Sequence, residues 1–181
     1  MPVIRIVIMG DNDVGKTSLI NKYVDNIFNE EKPSNASKDE NKHKKITIKK
    51  EEIILELIDL ISSIDATVSD FYGANACIAL LDINNPQSKE NVRNFLGIAS
   101  RFVTADNFVK CICVNKIDLE NKISDDEINE LMNQCNITKS FKISTKTGEG
   151  VEEMFKFVAE TVMNENKPVQ VENPTKKCVL L

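Results

Sequence analysis

The chain has 181 residues, 41% of them hydrophobic and 28% charged, which suffices for one buried core but is short for two. A formal net charge of −5 and a pI near 5.1 argue against nucleic acid as a partner, because no basic face is evident. We recognise no signal peptide and no stretch of roughly 20 apolar residues that could span a membrane. The spacing of the five cysteines matches neither a zinc site nor a disulfide framework. We therefore expect one cytoplasmic domain.

The first predicted elements are a buried strand over residues 3–9, a glycine loop and a helix. The loop GDNDVGKT, residues 10–17, matches the phosphate-binding pattern G-x-x-x-x-G-K-[ST] without a gap. Backbone N–H groups at the start of the helix can converge on a phosphate. We expect Lys16 to reach the β- and γ-phosphates of a nucleotide and the Thr17 hydroxyl to bind Mg²⁺.

The remaining elements alternate between strands and helices. Residues 26–45 are polar and without periodicity, so we expect a long loop there, with His43 solvated inside it. Two strands with a tight turn near Lys50 and Glu51 follow, and further buried strands are predicted over residues 76–83, 109–118 and 141–144. Helices are predicted to begin with Pro86 at the first helical position, at the capping box of residues 124–127, and near residue 151. The fold class is therefore α/β, a six-stranded mostly parallel sheet with helices on both faces.

The sequence NKID at residues 115–118 ends a buried strand and indicates which base is bound. An aspartate can accept hydrogen bonds from both N1–H and the exocyclic amine of guanine, donors that adenine does not present together. Asp118 suits that task, Asn115 is expected to tie this loop to the glycine loop, and the stem of Lys116 is expected to cover the base. Parallel α/β sheets bind ligands at this edge, which strengthens the prediction of a guanine site.

Taken together, these motifs resemble those of the Ras superfamily of small GTPases, and FYGANACIALLDINNPQS is similar to the Rab branch in particular. The resemblance implies a P-loop NTPase G domain with GTP or GDP and Mg²⁺ as cofactors. It implies that the Thr145 N–H recognises guanine O6, that Phe28 packs on the base and that Asp59 holds Mg²⁺ through a water. The implied nucleotide-binding residues are Asp13, Val14, Gly15, Lys16, Thr17, Ser18, Phe28, Asn115, Lys116, Asp118, Ser144, Thr145 and Lys146, and the metal-binding residues are Thr17, Ser34 and Asp59.

Two segments depart from the family pattern. The family continues its metal-binding aspartate as Asp-Thr-Ala-Gly-Gln, whereas this chain has Ser62 and Ser63 at the glycine and glutamine positions. Ser63 is too short to orient the attacking water, and Ser34 or Asn35 must replace the usual threonine of the first switch. No catalytic residue is assigned, and we expect slow GTP hydrolysis. The alternatives are a pseudo-GTPase, a permanently GDP-bound scaffold, and a P-loop kinase or ATPase, which the guanine motifs disfavour.

The end of the chain carries a lipidation signal. We expect a G domain over residues 1–164 and a disordered tail over 165–181, ending in CVLL, a geranylgeranylation signal that modifies Cys178. One lipid gives marginal attachment, so we expect the protein to cycle between the cytosol and the cytosolic face of a membrane. We also expect a monomer. The resemblance implies an exchange factor, an effector and a prenyl-binding escort, but does not identify the membrane.

Overall fold

The described part of the chain forms six strands and six helices. The computed structural model describes residues 1–29, 41–60, 66–103 and 107–165. The elements are β1 Val3–Gly10, α1 Lys16–Asp25, β2 Lys42–Ile48, β3 Glu51–Asp59, α2 Val68–Phe71, β4 Ala76–Asp82, α3 Gln87–Glu90, α4 Val92–Phe102, β5 Val109–Asn115, α5 Asp125–Gln134, β6 Ser140–Lys142 and α6 Val151–Glu165.

The strands form one sheet in the spatial order β2-β3-β1-β4-β5-β6. Strand β1 lies in the interior and pairs in parallel with both β3 and β4, while β2 is antiparallel to β3. The α/β fold with a six-stranded, mostly parallel sheet is therefore confirmed. Because parallel strands end at a common edge, the loops after β1, β3, β4 and β5 gather there.

Two apolar layers cover the sheet, one on each face. Ile6 and Ile8 of β1 pack with residues of α1 and α6, whereas Val7 and Met9 pack on the other side with residues of α4 and α5. All four side chains are buried, as expected for a strand covered on both faces. The continuous apolar run that predicted β1 thus reflects its interior position.

The region between α1 and β3 differs from the sequence prediction. The loop predicted over residues 26–45 gives way to β2 at Lys42, so His43 lies in a strand, opposite Glu56 of β3. Its side chain is still exposed, because exposed and half-buried residues alternate along β2, which is one of the two edge strands. The hairpin turn is at Lys49 and Lys50, whose φ angles of 50° and 71° are those of a type I′ turn. The turn was predicted one residue later, near Lys50 and Glu51. Two lysines here take a conformation that more often selects Asn-Gly.

The helices largely follow the predictions. The capping box of α5 is present, with Ser124 accepting from the Glu127 N–H. The helix expected to start at Pro86 is instead divided into α3 and α4 at Asn91, and Pro86 precedes the first helical residue. Helix α2 was not predicted, because four residues are too few to show a periodicity. None of the helices within the described ranges is long and apolar enough to cross a membrane.

The cysteines within the sheet are buried free thiols, as predicted. Cys77, Cys111 and Cys113 are buried and unpaired with one another, while Cys135 is half-buried. Burial raises the pKa of the Cys111 thiol to about 12, which keeps it protonated at neutral pH. These thiols therefore act as small core side chains.

Candidate functional site

The glycine loop connects the end of β1 to the first residue of α1. Gly10 and Gly15 have φ angles of 154° and 100°, and both sites exclude a side chain. A Cβ at Gly15 would lie 2.5 Å from Asn115 Nδ2, and one at Gly10 would lie 2.6 Å from the Leu80 carbonyl oxygen. Glycine is required at both positions because the loop turns tightly against β4 and the end of β5.

Lys16 lies within the concave side of this loop. Its Nζ donates hydrogen bonds to the carbonyl oxygens of Gly10 and Asp11, both at 2.9 Å, and the side chain is buried. Burial lowers the pKa of Lys16, and the nearby carboxylates of Asp59, Asp11 and Asp13 only partly offset this. A buried cation held by two carbonyl groups can exchange these contacts for the oxygens of an incoming phosphate.

Thr17 and Asp59 meet where α1 begins and β3 ends. The Thr17 hydroxyl donates to Asp59 Oδ2, and Asp59 Oδ1 is buried without a hydrogen-bond partner among the described residues. A buried carboxylate oxygen with a free lone pair beside a hydroxyl is a donor set that suits a hard cation such as Mg²⁺. Mg²⁺ usually takes only one or two protein carboxylates and completes its shell with phosphate and water, so these two residues fit it.

Asn115 links three loops at the edge of the sheet. It is fully buried, its Nδ2 donates to the Val14 carbonyl oxygen at 2.8 Å, and its Oδ1 accepts from the Thr145 N–H at 3.1 Å. The predicted tie between the NKID loop and the glycine loop is therefore present in the structure. The Thr145 N–H, which the family resemblance assigns to guanine O6, donates to Asn115 here.

Asp118 and Ser144 form the exposed part of this cluster. The Ser144 hydroxyl donates to Asp118 Oδ1 at 2.5 Å, which leaves Oδ2 for other donors. Ser144 is buried and Asp118 is exposed, so a buried hydroxyl holds the carboxylate while solvent can still reach it. The arrangement can present a fixed carboxylate to two neighbouring N–H groups of a planar base.

The other predicted site residues are placed as follows. Ser18 is half-buried in α1, and Phe28 is half-buried three residues after that helix ends. Asp13 has a φ angle of 65°, a left-handed conformation that aspartate tolerates. Lys146 is exposed in the loop after Thr145. Outside the described residues lie Ser34, Asn35, Ser62, Ser63 and Cys178.

Two polar contacts at the site were missed by the sequence prediction. Asn91, at the start of α4, donates through Nδ2 to both carboxylate oxygens of Asp11, at 3.0 and 3.1 Å. Asp82, the last residue of β4, pairs with Lys116 Nζ at 2.6 Å. An acidic residue ending an otherwise apolar strand was a signal for Asp82, since parallel strands end at the site edge.

Comparison with known proteins agrees with this geometry. Residues 5–164 match the model of the Ras family. The chain is 26% identical over 166 residues to the Ras-related protein Rab-18 of Caenorhabditis briggsae, covering 90% of this chain and 82% of the relative. It is 29% identical over 177 residues to the Ras-related protein RabH of Dictyostelium discoideum, covering 96% and 87%. It is 25% identical over 179 residues to the Ras-related protein Rab-7a of Paramecium octaurelia, covering 94% and 86%. The chain therefore belongs to the Ras family of small GTPases, on its Rab branch.

Proposed function

We propose that this protein is a prenylated, Rab-like switch that binds GTP and GDP with Mg²⁺ and acts in membrane trafficking or signalling. The observation that carries the proposal is the Asn115 tie, which holds the glycine loop against the loop of Thr145 beside an anchored Asp118. A phosphate-binding loop and a carboxylate suited to guanine are thereby brought to one edge of the sheet, as the binding of one guanine nucleotide requires.

Each part of the nucleotide has a partner in this proposal. The N–H groups at the start of α1 and Lys16 bind the phosphates, and Asp118 accepts from the base. Asn115 gives up or shares the Thr145 N–H when guanine O6 enters. Thr17 and Asp59 hold Mg²⁺, which when bound neutralises phosphate charge and makes nucleotide affinity depend on divalent cation.

The organisation of the chain is part of the same proposal. Residues 1–164 form the G domain, and residues 165–181 form a tail that is geranylgeranylated at Cys178. The structure describes the tail only at Glu165, which is the last residue of α6. A single lipid with only Lys176 and Lys177 nearby gives reversible attachment to the cytosolic face of a membrane. An exchange factor, an effector and a prenyl-binding escort are the expected partners of the monomer.

GTP hydrolysis is proposed to be slow. Ser63 occupies the position of the water-orienting glutamine, and the glutamine together with a partner's arginine supplies several orders of magnitude in rate. A pseudo-GTPase is the second candidate function, and the pair Ser62 and Ser63 favours it. A P-loop kinase or ATPase is tested separately by competition of ATP against bound GDP, which we expect to fail.

The deciding experiment is single-turnover hydrolysis of prebound GTP, followed as phosphate release over hours with and without Mg²⁺. We expect a rate more than tenfold below about 10⁻⁴ per second, and a faster rate in Ser63→Gln. A wild-type rate near 10⁻⁴ per second would mean that another residue orients the water. A protein that binds GDP but never retains GTP would instead be a GDP-bound scaffold.

A further inference from the structure

We propose that Asp82 is a positioning residue of the guanine site, and that it acts by anchoring Lys116. The inference rests on the proposed function, since it concerns how the same site binds the base. Asp82 ends β4 and Lys116 follows the end of β5, in a pair of strands where Asp82 lies directly opposite Asn115. The ion pair between Asp82 Oδ2 and Lys116 Nζ measures 2.6 Å.

Asp82 is itself held rigidly. Its Oδ1 accepts from the Asn84 N–H at 2.9 Å, and its own N–H donates to the Ser88 hydroxyl at 2.9 Å. Ser88 is fully buried and donates in turn to the Asn85 carbonyl oxygen at 2.7 Å. The side chain of Asp82 is only 10% exposed, so its carboxylate is a fixed anion at the edge of the sheet.

Lys116 has a side chain that such an anchor can order. Its backbone has a φ angle of 65°, and its side chain is 29% exposed. A lysine has a long stem with many rotamers, and ordering one on binding costs free energy. Because Asp82 fixes the ammonium group before any ligand arrives, the hydrocarbon stem of Lys116 is held at both of its ends, by the backbone and by the ion pair.

The consequence for binding is a lower ordering cost for the base. With Nζ engaged by Asp82, Lys116 contributes its apolar stem to a base face while Asp118 reads the base edge. The anchor therefore affects how long any purine stays bound, but not which purine is preferred. Loss of one preordered long side chain corresponds to a change of about twofold to tenfold in the dissociation rate.

The test compares the full-length wild type with Asp82→Asn, Lys116→Met and the double variant. Asp82→Asn keeps the shape and the contact to the Asn84 N–H, and Lys116→Met keeps the stem but removes the charge. Dissociation of fluorescently labelled GDP is measured with excess unlabelled GDP, and affinities for GDP and for inosine diphosphate are measured by competition. Asp125→Asn, which removes the ion pair with Lys142 on the surface, is the matched control.

We expect each single variant and the double variant to release GDP about twofold to tenfold faster than wild type, with the GDP to inosine diphosphate ratio unchanged. Equal effects in the single and double variants show that Asp82 acts through Lys116. Three results would overturn the inference and leave guanine binding intact. They are a wild-type GDP dissociation rate in Lys116→Met, a rate increase in the double variant equal to the product of the two single increases, and a changed ratio of the affinities for GDP and inosine diphosphate. A wild type that binds no guanine nucleotide would overturn the proposed function and this inference with it. Because Lys116→Met tests the same pair from the exposed side, the inference stays testable if Asp82→Asn does not fold.

Discussion

Replacing Asn115 by alanine tests whether one buried amide holds the site together. The change removes the hydrogen bond to the Val14 carbonyl oxygen and the one from the Thr145 N–H, and both residues are buried. Leaving a buried polar group unsatisfied costs about 1–3 kcal/mol, so two such groups give a loss of about 2–6 kcal/mol. Domains of this size are stable by only about 5–15 kcal/mol, so the loss is a large fraction of the total.

The assay is urea unfolding of wild type and Asn115→Ala, each with and without saturating GDP. We expect a lower midpoint with an unchanged slope in both conditions. The difference in free energy of unfolding between the two proteins should increase when GDP is present. A ligand stabilises the native state according to its affinity, and the variant binds GDP more weakly. Asn129→Ala, on the exposed side of α5, is the matched control and should change stability by less than about 0.5 kcal/mol.

A loss below about 1 kcal/mol for Asn115→Ala, with unchanged GDP affinity, would refute this reasoning. It would mean that water or a local shift satisfies Val14 and Thr145 equally well. Asn115→Asp gives a further check, since it keeps the acceptor for Thr145 but places a carboxylate against the Val14 carbonyl oxygen. That variant should be destabilised at least as much as the alanine variant.

Two further predictions concern charge. Asp118→Asn should weaken GDP binding by about 10- to 100-fold, because one bidentate contact is worth roughly 1–3 kcal/mol. The variant should favour xanthosine diphosphate, which offers a carbonyl oxygen where guanine has an amine. Competition binding with both nucleotides measures this preference, and an equal loss of affinity for both would contradict the prediction. Contacts with Lys89 and Ser124 lower the pKa of Glu127 from 4.5 to about 2. Because the folded protein holds the pKa of Glu127 below its unfolded value, the ionised carboxylate stabilises the fold above pH 4.5, and this contribution is lost as pH falls from 4.5 through 2. Glu127→Gln should therefore be less stable than wild type at pH 6, closer to it at pH 3 and nearly equal to it only below about pH 2. Urea unfolding across this range checks the sign, and a pH-independent difference would show that the carboxylate charge is not the cause.

The site could be predicted where a local pattern carries the information. The motif at residues 10–17 describes a loop of eight residues that ends in Lys16 and Thr17, and the burial of Lys16 and the hydrogen bond from Asn115 agree with it. The tie was predicted even though its ends are 101 residues apart, because family motifs encode that contact. These are cases in which residue type at a fixed spacing determines geometry.

The misses have a common physical origin. His43 lies in a strand because pairing with β3 overrides a lysine-rich sequence without alternation. Asp82 reaches Lys116 because β4 and β5 align Asp82 with Asn115, and no local pattern gives that register. In both cases the neighbouring strand, not the residue's own segment, decides the structure.

The interior position of β1 has a consequence for how the chain folds during synthesis. Val3 pairs with Ile54 of β3, and Ile6 pairs with Ala76 of β4, so each partner is made at least about fifty residues later. At roughly 5–20 residues per second, β1 waits several seconds on the ribosome before either neighbour exists. Throughout that interval β1 has no neighbouring strand, and the phosphate-binding loop that follows has no sheet edge on which to form. The most local motif of the sequence is therefore among the later features to acquire its working geometry.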